Sequence, residues 1–113
     1  RVELDEEMLK QVLTNLVTNA LQALPQGGTL GLRSFCTEHC VIAEVEDDGI
    51  GMSGEQQERA FDSGFTTSNK GSGLGLAIVD RFVRAMGGSV ELESREGAGT
   101  LFRLRFECRE TQQ

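Results

Sequence analysis

The sequence predicts a two-layer α/β sandwich, a sheet with helices on one of its faces. Four segments alternate apolar and charged side chains with period two, which gives a sheet one apolar and one charged face and leaves it covered on one side only. Two longer segments repeat their apolar residues at the helical spacing, and they are the candidates to cover the apolar face.

The first helix is read over residues 5–24, DEEMLKQVLTNLVTNALQAL, with Asp5 as its N-cap. Leu9, Val12, Leu13, Leu16, Val17, Ala20, Leu21 and Leu24 recur at the spacing of one broad buried face. Pro25 and the pair Gly27–Gly28 end it. The strands follow. In TLGLRSFC, Leu30 and Leu32 point one way; in VIAEVEDD, Val41, Ala43 and Val45 oppose Glu44 and Glu46. In SVELES, Val90 and Leu92 oppose Glu91 and Glu93; in TLFRLRFE, Phe102, Leu104 and Phe106 oppose Arg103, Arg105 and Glu107. A short helix starts at Ser53, where Ser53 and Gln56 fit a capping box. The second long helix spans residues 74–86 and is stopped by Gly87–Gly88.

With 113 residues the chain is one small domain, 1–113. Its 38% hydrophobic and 26% charged residues are an ordinary globular composition, and no apolar run approaches the roughly 20 residues that span a bilayer. A net charge of −7 argues against nucleic acid as a partner. The chain starts at Arg1 rather than Met, so it is read as a piece excised from a longer protein. Its three cysteines, Cys36, Cys40 and Cys108, form no CxxC and read as reduced thiols in the cytoplasm. FCTEHC brings Cys36, His39 and Cys40 together without the four spaced ligands of structural zinc, and reads as a hairpin tip between two strands.

Three constellations carry chemistry. Asn15 and Asn19 lie one turn apart on one face of the first helix, with Gln11 and Gln22 extending the stripe. Each asparagine costs about half a kcal/mol relative to alanine in a helix interior. They are either a solvated polar face or amide oxygens offered to Mg²⁺, a hard ion that shares oxygen ligands with phosphates. Next, a strand runs into Asp47, followed by Gly49 and Gly51 in the pattern D-x-G-x-G. An ionised Asp only accepts hydrogen bonds, which suits an exocyclic amino group such as adenine's, and the glycines let a flat ligand approach the backbone. A strand ending in DDG is also a common hairpin turn. Last, TTSNKGSGLGLAIV places Gly71, Gly73 and Gly75 at a helix start, where free N–H groups and the helix dipole favour an anion. The lysine, Lys70, precedes the glycines, unlike a Walker loop, and the spacing is not that of a dinucleotide fingerprint.

In this order the three motifs closely resemble the GHKL ATP-binding family, which includes sensor histidine kinases, heat-shock and mismatch-repair ATPases, type II topoisomerases and some serine kinases. The resemblance spans nearly the whole chain, and GAGTLFRLRF (97–106) looks like the last glycine box and terminal strand of the histidine-kinase branch. It implies a Bergerat fold, with a mixed, mostly antiparallel sheet. It also implies ATP and Mg²⁺ as cofactors. Asp47 then accepts from the adenine amino group, with Gly51 beneath the base, and Gly49 and Thr100 belong to the same nucleotide site. Asn19 ligates Mg²⁺ and Asn15 adjoins it, the pair serving catalysis. Gly71, Gly73 and Gly75 let the backbone meet the phosphates, and Lys70, Ser72, Leu74 and Leu76 belong to the same nucleotide-binding segment. Lys70 either meets the terminal phosphate or is an ordinary solvated lysine.

Residues of about 53–72 correspond to a lid over ATP. Within it FDSGFTTS resembles the phenylalanine box of nitrogen-regulation sensors, with Gly64 in place of an aromatic and Ser68 where a lysine is usual. Phe61 and Phe65 either dock on a neighbouring surface or, for Phe61, anchor the lid in the core. Where the hydrolytic branches carry a glutamate that activates water, this chain has Asn15, and an amide is no general base. The resemblance therefore implies transfer of the γ-phosphoryl to a histidine on a separate dimerisation helix, and relay to a response regulator. His39, between strands, lacks the helical setting of an acceptor. The isolated domain is expected to be monomeric, its parent a homodimer, soluble or membrane-anchored. A GHKL ATPase clamp and an anti-sigma-factor-like serine kinase are the alternatives.

Overall fold

The computed structural model describes residues 5–24, 26–62 and 75–107. The first helix, α1, is Glu6–Gln22, and Asp5 caps it by accepting from the Met8 N–H at 3.0 Å. Glu6 and Glu7 in its first turn complement the helix dipole. Strands β1 (Leu30–Cys36) and β2 (Cys40–Asp47) form a hairpin with the Thr37–His39 stretch at its tip. The short helix α2 is Gly54–Arg59, α3 is Gly75–Ala85, and strands β3 (Gly88–Arg95) and β4 (Gly99–Glu107) close the sheet.

The strand order is β1-β2-β4-β3, and every neighbouring pair is antiparallel. This antiparallel sheet with helices on one face agrees with the mostly antiparallel Bergerat fold that the resemblance implies. One boundary differs from expectation. Gly87, at φ +81°, ends α3 by itself, whereas Gly88 already pairs with Phe106 as the first residue of β3. A Cβ at Gly88 would lie 2.6 Å from the Phe106 ring and 2.7 Å from the Arg105 carbonyl oxygen, so a close strand approach demands that glycine.

The core lies between the sheet and the two long helices. Val12, Leu16 and Ala20 form one stripe of α1, and Val79 and Val83 one of α3; they meet Val45, Phe102, Leu104 and Phe106 on the sheet. The period-two reading therefore holds, with one difference at the edge. Leu32 sits on the same face as Leu30 but is exposed, because the helices do not reach that far across β1.

The opposite face is charged and internally paired. Glu44 accepts from Arg103 Nε at 2.7 Å and from Arg33 Nε at 2.9 Å, while Arg103 Nη1 also reaches Glu91 and Glu93. The two guanidinium groups, Arg103 above all, hold the Glu44 carboxyl below its ordinary value.

Candidate functional site

The end of α1, the loop after β2 and the start of β4 meet at one end of the two central strands. There a cleft of about 90 Å³ is lined by Asn19, Gln22 and Ala23 of the α1 end, Ile50, Gly51 and Met52 of the loop after β2, and Thr100 of β4. This is smaller than a typical ligand pocket of several hundred Å³. It can take the edge of a ring and leaves the rest of a ligand to lie outside it.

The loop after β2 is fixed by its own backbone. Ile50 N–H donates at 3.0 Å to the Ala23 carbonyl, one of the acceptors left without an intrahelical partner at the end of α1. The Ile50 carbonyl accepts from Gly97 N–H at 2.7 Å in the β3–β4 turn. The Asp48 carboxylate accepts from Thr29 N–H at 2.8 Å. A Cβ at Gly49 would collide with the Ala23 carbonyl, and one at Gly51 with the Arg95 carbonyl. Gly51 also holds φ +69°, a conformation that L side chains rarely adopt. The glycines of D-x-G-x-G are thus required by contact with the protein's own backbone, and Gly51 in addition lines the cleft.

Asp47, last residue of β2, lies opposite Thr100 in register and is only 5% exposed. Its Oδ1 accepts from Gly49 N–H at 2.8 Å. Burial raises its pKa, an effect partly offset by hydrogen bonds from the Gly49 and Thr100 backbone and reinforced by the charge of Asp48. The residue that Asp47 pairs with, Thr100, lines the cleft.

On α1, Asn15 spends its amide on structure. Its Nδ2 donates to the Gly75 carbonyl at 3.2 Å, which ties α1 to the first residue of α3, and its Oδ1 accepts from Gln11 Nε2 at 3.1 Å. Asn19, one turn on, lines the cleft, and among the described residues its side chain has no hydrogen-bond partner. Gly75 and Leu76 open α3, where a Cβ at Gly75 would meet nothing within 4 Å, and Leu76 packs on the core. Lys70, Gly71, Ser72, Gly73 and Leu74 lie outside the described residues, as do Gly64, Phe65, Ser68 and the rest of 63–74. In its first half, Ser53 and Gln56 form the expected capping box of α2. Of the two readings for Phe61, anchoring is observed: its ring packs edge-on against Phe102, with centroids 6.2 Å apart and planes at 78°.

Sequence reasoning missed five contributors: the Ala23 carbonyl, Ile50, Met52, Gln57 and Ser94. Ser94 Oγ accepts from Met52 N–H at 2.8 Å and donates to the Gly99 carbonyl at 2.9 Å, and it lies 2.8 Å from Thr100 Oγ1. Gln57 Nε2 donates to the carbonyls of Met52 and Ser94 at 3.0 and 3.1 Å. One signal was available for Ser94. Period two places it after Val90 and Leu92 on the apolar face, where a hydroxyl needs partners.

The structure is an α/β domain with a small cleft between the end of α1, the loop after β2 and the start of β4. The chain belongs to the histidine kinase-, DNA gyrase B- and HSP90-like ATPase family, whose model matches residues 4–110. Its relatives place it in the sensor-histidine-kinase branch, as an ATP-binding domain. It is 41% identical to the sensor histidine kinase ZraS of Klebsiella oxytoca over 90% of this chain and 22% of that protein. It is 34% identical to sporulation kinase C of Bacillus subtilis over 88% of this chain and 23% of that protein. The chain thus spans less than a quarter of the length of these curated relatives. Among solved structures it resembles the catalytic domain of histidine kinase ThkA in a nucleotide-free form, with TM-score 0.82 and 36% identity over 95% of this chain and 71% of the other. It also resembles the mycobacterial sensor histidine kinase MprB, with TM-score 0.84 and 27% identity over 96% and 75%. No helix among the described residues is long and apolar enough to cross a membrane.

Proposed function

We propose that the domain binds Mg-ATP with its purine edge in the cleft beside Asp47. It then transfers the γ-phosphoryl group to a histidine on a dimerisation helix of its parent kinase, for relay to a response-regulator aspartate. The observation that carries the proposal is the pairing of buried Asp47 with Thr100, which lines a cleft that Asn19 also lines. A buried carboxylate is costly, and a ligand amino group that donates to it offsets the cost. Asn19 offers a neutral amide oxygen, a donor type that fits Mg²⁺, which keeps waters and phosphate oxygens as its other ligands. When bound, the ion neutralises charge on the phosphates. Gly75 and Leu76 at the head of α3, with Lys70, Gly71, Ser72, Gly73 and Leu74 preceding them in sequence, are assigned to the phosphates, which a helix start favours. Asn15 holds that helix start in place.

Transfer is favoured over hydrolysis because the position that would need a base carries an amide, and both ends of that amide are committed to Gln11 and Gly75. Transfer asks mainly for positioning, since the acceptor brings its own nucleophile. The parent is a cytoplasmic or membrane-anchored homodimer with its catalytic domains in the cytoplasm. The test begins with calorimetric titration of the domain with Mg-ATP, where saturable binding is expected and its absence sinks the proposal. The domain is then mixed with the parent's histidine-bearing helices and γ-labelled ATP. Acid-labile label on those helices is the expected result, while steady phosphate release without label would favour an ATPase clamp.

A further inference from the structure

The wall of the cleft contains a hydroxyl pair whose protons are fixed by their neighbours. Ser94 Oγ has three polar partners: Met52 N–H at 2.8 Å, the Gly99 carbonyl at 2.9 Å and Thr100 Oγ1 at 2.8 Å. A hydroxyl has one proton and two acceptor lone pairs, so three partners fill it. An amide N–H can only donate and a carbonyl can only accept. The Ser94 proton therefore goes to Gly99, one lone pair serves Met52, and the other takes the Thr100 proton. The reverse assignment would set the Gly99 oxygen against a Ser94 lone pair with no proton between them. Thr100 has thus given its proton away, and toward the cleft it presents lone pairs alone. Gln57 Nε2 holds the Met52 and Ser94 carbonyls, so the backbone carrying this hydroxyl and that of its amide donor are both pinned.

We infer that Ser94 is a positioning residue for nucleobase specificity: by holding Thr100 as an obligate acceptor, it makes the site favour a 6-amino purine over a 6-oxo purine. The inference rests on the assignment of this cleft to the base. Asp47, paired with Thr100 across the two strands, is acceptor-only when ionised, so both strands present acceptors. The adenine amino group donates, whereas a keto oxygen at the same position only accepts and would leave these buried groups unpaired. Sites of this kind reject the mismatched ligand strongly.

Titration of the domain with ATP and with ITP, whose purine carries oxygen at position 6, tests the inference. The wild-type domain should prefer ATP. Ser94→Ala frees the Thr100 proton to turn toward the ligand, so the ATP:ITP affinity ratio should fall about tenfold, and Ser94→Thr should restore it. Loss of both affinities by the same factor, with the ratio unchanged, would overturn the inference, because that is the signature of a merely structural serine. If Ser94→Ala lacks a cooperative melt, Thr100→Val answers instead. Removal of an acceptor weakens ATP more than ITP, and the opposite order overturns the inference. A wild-type domain that binds neither nucleotide overturns the assignment of the cleft itself, and this inference with it.

Discussion

Asp47 is a carboxylate at 5% exposure whose burial raises its pKa above the ordinary 3.8. The folded state therefore holds the proton more tightly than the unfolded chain does. That contribution to stability is complete below the unfolded pKa and is lost as pH rises through the folded one, so near neutrality the ionised group is a burden on the fold. Asp47→Asn has no such titration. Thermal melts of the two proteins should show the wild type losing ground to the variant as pH climbs from about 3.8 toward 7. The same substitution replaces an acceptor by a group that also donates, and ATP affinity should fall by about a hundredfold in calorimetric titration, roughly 2.7 kcal/mol. Unchanged affinity would remove Asp47 from the base site. The two readouts together separate a residue kept for a ligand from one kept for the fold.

Among the elements, the charged face of the sheet has the opposite sign. Glu44 is held below its ordinary 4.5 by Arg103 and then Arg33, so its stabilising effect is present above that value and lost as pH falls through the lowered one. Glu44→Gln should melt at lower temperature than the wild type at pH 7, with the gap closing as the pH drops below 4.5. On the other face Phe61 fastens the C-terminal side of α2 to β4 through Phe102. Phe61→Ala should cost about 2 kcal/mol in urea unfolding, less than a fully buried phenylalanine because the ring is only partly covered.

These elements were legible in the sequence to different depths, for physical reasons. Strand faces, the capping box of α2 and the helical stripes are local patterns, and each was readable within a few residues of itself. The partners of Glu44 were not, because Arg33 and Arg103 come from strands whose neighbours are set by the order β1-β2-β4-β3, a long-range outcome. Gly88 was misread as part of a helix stop, since its requirement comes from Phe106, which lies far along the chain. In the candidate site the D-x-G-x-G motif was visible, yet the reason for its glycines was not. The carbonyls of Ala23 and Arg95 that exclude a Cβ carry no side-chain signature.

Across the whole molecule, the proposed nucleotide site would draw on both layers: the end of α1, the head of α3 and one end of the central strands β2 and β4. Asn15 makes a polar tie between the two long helices, through the Gly75 carbonyl. Asn15→Asp keeps the size of the side chain but turns the donor into an oxygen that faces another oxygen, so the tie becomes a repulsion. The variant should unfold with about 1–2 kcal/mol less stability. A hundredfold excess of Mg-ATP over its Kd should stabilise the wild type by about 2.7 kcal/mol, since ligand binds the folded state alone. In the variant the head of α3 is no longer held against α1, so the phosphates lose their prearranged N–H groups and the same ligand concentration should stabilise it less. Melts of both proteins with and without Mg-ATP measure both effects. An equal ligand-induced shift in the two would mean that Asn15 serves the fold without positioning the phosphate end of the site.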